Sequence, residues 1–91
     1  ELLFLSGKNA LLSGDFKGSI KTFKKLLKND EDFLEAYKYL GLSYYFSDEL
    51  DKAEKNYKKY LQRKGLFDEE EELAVEILHD KVLAVWSEND E

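Results

Sequence analysis

Apolar residues recur along this 91-residue chain at a spacing near 3.6, and short polar clusters interrupt them. In a helix that spacing gathers side chains onto one face. It predicts five helices. The first covers about 2–13 and is broken at Gly14-Asp15. Asp15 is placed to cap the second, about 16–28, whose stripe is Phe16, Ile20, Phe23 and Leu27. Residues 29–32 form a polar turn. Asp32 is expected to cap a third helix reaching about 46, with Glu35 as its capping-box partner. Ser47-Asp48 opens a fourth, about 49–64, with Leu50, Ala53, Tyr57 and Leu61 at core spacing. Gly65 follows it, behind Arg63 and Lys64, whose charges suit the end of a helix. Asp68 is expected to cap a fifth helix running to about 87. The carboxylates at 69–72 would then lie in its first turn, at the positive end of its dipole.

The first two helices repeat in the next two at an offset of 34 residues. Gly7 falls on Gly41, Ser13 on Ser47, Lys21 on Lys55, Lys24-Lys25 on Lys58-Lys59 and Leu27 on Leu61. Phe16 pairs with Leu50, Ser19 with Ala53 and Phe23 with Tyr57. A period of this length points to stacked units that bury their apolar faces against one another. Gly7 and Gly41 sit in mid-helix, where glycine costs up to about 1 kcal/mol, so each requires a packing reason. The small residues Ser19 and Ala53, twelve positions later, are the expected partners at a close helix crossing.

These units resemble the tetratricopeptide repeat, whose pattern is W-x2-L-G-x2-Y, then A-x3-F, then P. Tyr37, Leu40-Gly41, Tyr44, Ala53 and Tyr57 match it in the second unit. Leu3, Ser6-Gly7, Ala10, Ser19 and Phe23 occupy the same places in the first. The closing proline is replaced by Glu31 and Gly65. The resemblance spans about 2–65 and implies an all-α, right-handed helical-repeat solenoid. It would be one domain over 1–91, with repeat 1 at about 1–33, repeat 2 at about 34–67 and a capping helix at about 68–87. Leu73, Ile77 and Leu78 are expected to dock that last helix on the second repeat. Two repeats and a cap fall below the three usually needed for stability, so a piece of a longer protein, or a self-associating one, is expected.

Composition narrows the function. Fourteen basic residues against twenty acidic ones give a net charge of −6, which disfavours nucleic acid and anionic membranes as partners. No apolar run is long enough for a membrane span. The expectation is a soluble protein of the cytoplasm or periplasm, since a chain without cysteine suits either. No catalytic, cofactor or metal residue is assigned. His79 is the only histidine, and Glu76 beside it leaves any metal set incomplete, so it is read as a solvent-facing or edge residue. The serines lack a base, and no glycine-rich phosphate loop is present. The lysines at 21, 24, 25, 28, 52, 55, 58 and 59 read as solvated faces of the second helices.

The candidate partner-binding groove lies on the first helices. It comprises Phe4, Lys8, Leu11 and Leu12 in the first unit, and Lys38, Leu42, Tyr45 and Phe46 in the second. The resemblance places these residues on the inner, concave wall, where a peptide or helix of a partner protein would bind. Lys8 and Lys38 would orient an acidic neighbour. The alternatives are that the fifth helix or an upstream repeat covers this wall, and that the repeats serve mainly to assemble with copies of themselves or with neighbouring repeats. A chaperone-tail clamp is not expected, because Phe4, Lys8, Tyr39, Glu69 and Leu73 stand at its places.

Overall fold

The computed structural model describes residues 1–68 and 70–89, with the side chain of Asn89 left aside. Five helices occur in the order α1 (Leu2–Leu12), α2 (Phe16–Asn29), α3 (Leu34–Phe46), α4 (Leu50–Arg63) and α5 (Val75–Asn89), with no strand among the described residues. Each helix packs chiefly on the next, while α1–α3 and α3–α5 touch more lightly. The radius of gyration is 12.2 Å, the size expected of a compact chain this long, about 12 Å.

The turns follow from hydrogen bonding at the helix ends. After α1, Gly14 N–H donates to Leu11 O and Asp15 N–H to Ala10 O, so two otherwise open carbonyls are satisfied. The same double bond ends α3, from Asp48 to Tyr45 and Glu49 to Tyr44, and ends α4, from Gly65 to Gln62 and Leu66 to Leu61. This closure needs a left-handed residue, and Gly14, Asp48 and Gly65 have φ of 86°, 63° and 74°. Asp15 caps α2 as predicted, its carboxylate accepting from Gly18 N–H at 3.0 Å. The cap of α3 differs from the predicted Asp32: Phe33 and Glu49 occupy the N-cap positions of α3 and α4, and neither makes a side-chain cap bond. Asp32 N–H instead donates to Asp30 in the preceding turn.

The start of α5 is a larger correction. It begins at Val75 rather than near 68. Asp68 organises a local turn, its carboxylate accepting from Glu70 N–H at 3.0 Å and its carbonyl from Glu71 N–H. Glu70, Glu71 and Glu72 are therefore exposed in a connecting segment, and Glu69, expected in the same turn, lies outside the described residues. Adjacent like charges repel, and a hydrated loop separates them better than one helical turn does.

The core joins Phe23, Leu26, Leu42, Ala53, Tyr57, Tyr60, Leu61, Leu78 and Val82, all at most 1% exposed. Inside each pair the mid-helix glycine faces a ring. A Cβ on Gly7 would lie 2.7 Å from Phe23, and one on Gly41 would lie 2.6 Å from Cε1 of Tyr57. The atoms nearest each glycine's open side thus belong to an aromatic ring sixteen residues on. Ser19 turns toward α3, where its hydroxyl meets that of buried Ser43 at 2.8 Å.

Docking of α5 also differs from expectation in one residue. Leu78 and Val82 are fully buried, with Leu73, Val85 and Trp86 packed beside them, while Ile77 stays 48% exposed. In a helix Leu78 and Val82 are one turn apart, whereas Ile77 points a hundred degrees away from Leu78.

Candidate partner-binding face

The first helices carry an aromatic seam that runs across four elements. Phe4 of α1 lies 6.2 Å from Phe23, 4.9 Å from Phe33 and 5.4 Å from Tyr39, between ring centroids. Tyr39 stacks on Phe23 at 5.8 Å and receives Trp86 of α5 edge-on at 5.3 Å. Lys8 spreads its ammonium over Phe4 and Tyr39, 5.2 and 5.4 Å from the two centroids. Phe4 and Lys8 are half-buried and Leu11 is buried.

The second unit's residues are mostly covered. His79 of α5 stacks flat on Tyr45 at 3.6 Å and meets Phe46 edge-on at 5.9 Å. With Trp86 against Tyr39, α5 therefore lies across the α3 face that carries Tyr39, Leu42 and Tyr45. Leu42 is 0% exposed. Lys38 is buried too, its ammonium 2.8 Å from Glu35 Oε2 and lying over the rings of Tyr39 and Tyr60. Lys38 hence cannot orient an acidic neighbour of a ligand, because its charge is already paired inside. The eight groove residues do not form one open wall.

What stays open is the end of the face where α1, α2, α3 and α5 converge. Leu11, Leu12, Gly14, Phe16, Phe46 and Trp86 line a mainly apolar cleft of about 310 Å³. Leu12 is 73% exposed and Phe46 49%. Phe16 stacks on Phe46 at 5.5 Å and so fixes one wall. Of the predicted groove, this cleft gathers Leu11, Leu12 and Phe46. Reading the sequence missed Phe16 and Trp86. The signal for Phe16 was present, since it opens α2 directly after the turn that places it beside Leu12. No local signal could have delivered Trp86, which reaches the cleft by tertiary packing alone.

His79, expected from the sequence to be solvent-facing or at an edge, is buried. It is 6% exposed, and its Nδ1 lies 2.6 Å from the hydroxyl of fully buried Tyr57. Burial favours the neutral ring and holds its pKa below the ordinary value of 6.5, with Asp80 opposing weakly. Tyr57 is pushed far above its usual range, first by burial and then by Tyr45. Because His79 binds its proton more weakly folded than unfolded, its contribution is present above about pH 6.5 and is lost as pH falls toward the folded value. The unfolding free energy is expected to fall between pH 7 and 5.5, by at most about 1.4 kcal/mol per pH unit from this group. His79→Phe should flatten that slope; an unchanged slope would refute the assignment.

Two buried tyrosines on α4 offer a second test. Tyr57 has its histidine partner, whereas the hydroxyl of Tyr60 is buried with none, and burial, Glu35 and Tyr39 push its pKa up to about 12. Removing a paired hydroxyl strands its partner at a cost of about 1–3 kcal/mol, while removing an unpaired one relieves desolvation. Urea unfolding is expected to show Tyr57→Phe destabilised and Tyr60→Phe unchanged or stabilised. The reverse order would contradict the geometry.

Among the described residues, no group of three or more His, Asp or Glu side chains is placed to hold a metal, and no helix is long and apolar enough to cross a membrane. The lysines of α2 at 21, 24, 25 and 28 are exposed, as are those of α4 at 52, 55 and 59, while Lys58 pairs with Glu54 at 2.8 Å. Comparison with protein-family models, with curated proteins and with solved structures finds no match for the chain.

Proposed function

We propose that this chain is a protein-interaction module of the tetratricopeptide-repeat type, two helix pairs stacked as a right-handed solenoid with α5 as cap. It takes an apolar side chain, borne on a peptide or helix of a partner protein, into the cleft beside Trp86. The apolar cleft carries this reading, because Leu12 and Phe46 are large, exposed and converge with Trp86 on one hollow. Exposed apolar groups gathered in this way mark interaction sites more often than scattered ones do. The volume of about 310 Å³ suits one or two side chains rather than a large cofactor.

The repeat type draws support from the structure's internal equivalences. α2 and α4 are both 14 residues long, and α4 starts and ends 34 positions after α2. Gly7 beneath Phe23 and Gly41 beneath Tyr57 repeat one packing at that same offset.

Leu12→Glu alters an exposed side chain and Phe46→Glu a half-exposed one that also stacks on Phe16, so circular dichroism is read beside capture to separate lost binding from lost packing. Capture of the natural partner is expected to fall at least tenfold in either variant. In the parent, partner binding should also shift the fluorescence of Trp86, the single tryptophan. Undiminished capture by both variants, or binding without any Trp86 response, would remove the cleft from consideration.

A further inference from the structure

His79 and Trp86 stand seven positions apart on α5, two turns along one side of the helix. Both meet α3. The ring of His79 lies flat on Tyr45 at 3.6 Å and edge-on to Phe46 at 5.9 Å, and Trp86 meets Tyr39 edge-on at 5.3 Å. Phe46 and Trp86 both line the cleft, so the seat of α5 on α3 sets its width. That seat is slight, because α5 packs mainly on α4 and touches α3 more lightly. Leu78 and Val82 are fully buried and anchor the helix in the core. Small sliding and rolling of one packed helix on another is the ordinary way such seats change.

The histidine is the polar group in this seat. The wholly buried Tyr57 hydroxyl has Nδ1 of His79 as its partner at 2.6 Å, and no other among the described residues. Burial makes this hydroxyl keep its proton, so it donates to Nδ1 and leaves the ring hydrogen on Nε2. A proton added at Nδ1 sets two donors against each other and turns the hydroxyl hydrogen toward apolar neighbours. It also places a cation where α3 presents Tyr45 and Phe46 and α4 presents Tyr57, none of them charged. The nearby carboxylates, Asp80 beside it and Glu76 one turn before, are on α5 itself and exposed. Stacking on the Tyr45 face offsets part of the cost. Burial still outweighs Asp80 and favours the neutral ring.

We propose that His79 is a proton-operated latch on the cleft: on taking up a proton it leaves its seat between Tyr45 and Tyr57, α5 rolls away from α3, and Trp86 is drawn off Tyr39 and out of the cleft wall. The latch rests on the cleft as the binding site and adds its regulation. A partner is held near neutral pH and released in acid, its affinity falling by up to about tenfold per pH unit below the midpoint of the ring in the folded chain.

The test needs no partner. The chain has one histidine and one tryptophan, so each ring gives a single set of NMR signals. The Trp86 indole signal should shift along the same pH curve as the His79 ring, while circular dichroism keeps its helical signal. Asp80→Asn alters an exposed side chain and removes the charge that favours protonation, so both midpoints should move together to lower pH. His79→Phe keeps a ring on Tyr45 and should leave Trp86 unmoved over that range. An indole signal that ignores the His79 titration, midpoints that separate in Asp80→Asn, or a shift that survives His79→Phe would each overturn the latch. Helicity lost along the same curve would overturn it too, because proton uptake would then unfold the chain instead of moving α5. Failure here leaves the Leu12 and Phe46 capture test standing, and failure of that test leaves the coupling of His79 to Trp86 untouched.

Discussion

Removing α5, by ending the chain at residue 66, is expected to leave a remnant that unfolds or aggregates at temperatures where the whole chain is folded. The helix packs on α4, where His79 holds the hydroxyl of Tyr57 at 2.6 Å, and its removal takes away the buried Leu78 and Val82. Burying a large apolar side chain contributes roughly 1.5–3 kcal/mol, and a small domain has only about 5–15 kcal/mol of net stability. Several such losses therefore exceed what the remnant can bear. Ending the chain at 66 also removes Phe67 and Leu73, which pack against the core, so a second variant isolates the helix face. Leu78→Asp combined with Val82→Asp keeps the chain length and should reproduce most of the loss. Circular dichroism melts of both forms check this. A soluble remnant melting as high as the parent would mean that α5 is not part of the core.

Gly41→Ala is expected to be the most damaging single methyl in the molecule. Its Cβ would sit 2.6 Å from Cε1 of the Tyr57 ring, well inside contact distance. That ring cannot slide freely, because its hydroxyl is held 2.6 Å from His79 and the residue is wholly buried. Overpacking of this kind costs about 1–3 kcal/mol, against a helix-propensity gain of up to about 1 kcal/mol for replacing glycine. The thermal midpoint should drop by several degrees, at about 4–8 °C per kcal/mol. Gly7→Ala meets Phe23 at 2.7 Å, but that ring has no hydroxyl tether and α1 has an open outer side, so a smaller drop is expected. If both alanines raise the midpoint, the helices in each pair do not approach through their glycines.

The first four helices were legible because their signals are local. Gly14 and Gly65 mark left-handed helix ends, Asp15 caps α2, and the stripe ending in Phe23 and Leu27 repeats in Tyr57 and Leu61. Each of those features depends on residues within one or two turns, and backbone hydrogen bonding settles it there. The repeat also indicated that Gly7 and Gly41 lie at helix crossings. It did not identify Phe23 and Tyr57 as their partners, since which side chain fills the space under a crossing depends on how two helices rotate against each other.

The candidate site was less legible, and for one reason. Spacing grouped Lys38, Leu42, Tyr45 and Phe46 along one helix, and the family resemblance set them with Leu12 on an inner wall. Whether such a wall is open depends on where a later element comes to rest. Lys38 is buried against Glu35, Tyr39 and Tyr60, while the placement of α5 stacks His79 on Tyr45 and carries Trp86 to Tyr39. Nothing within a few residues of Val75 specifies those contacts; they arise from shape and burial across residues 22–47 positions apart in the chain. Periodicity therefore decided which faces of the helices are apolar, whereas tertiary packing decided which of those faces remain exposed, the cleft at Leu12, Phe46 and Trp86 among them.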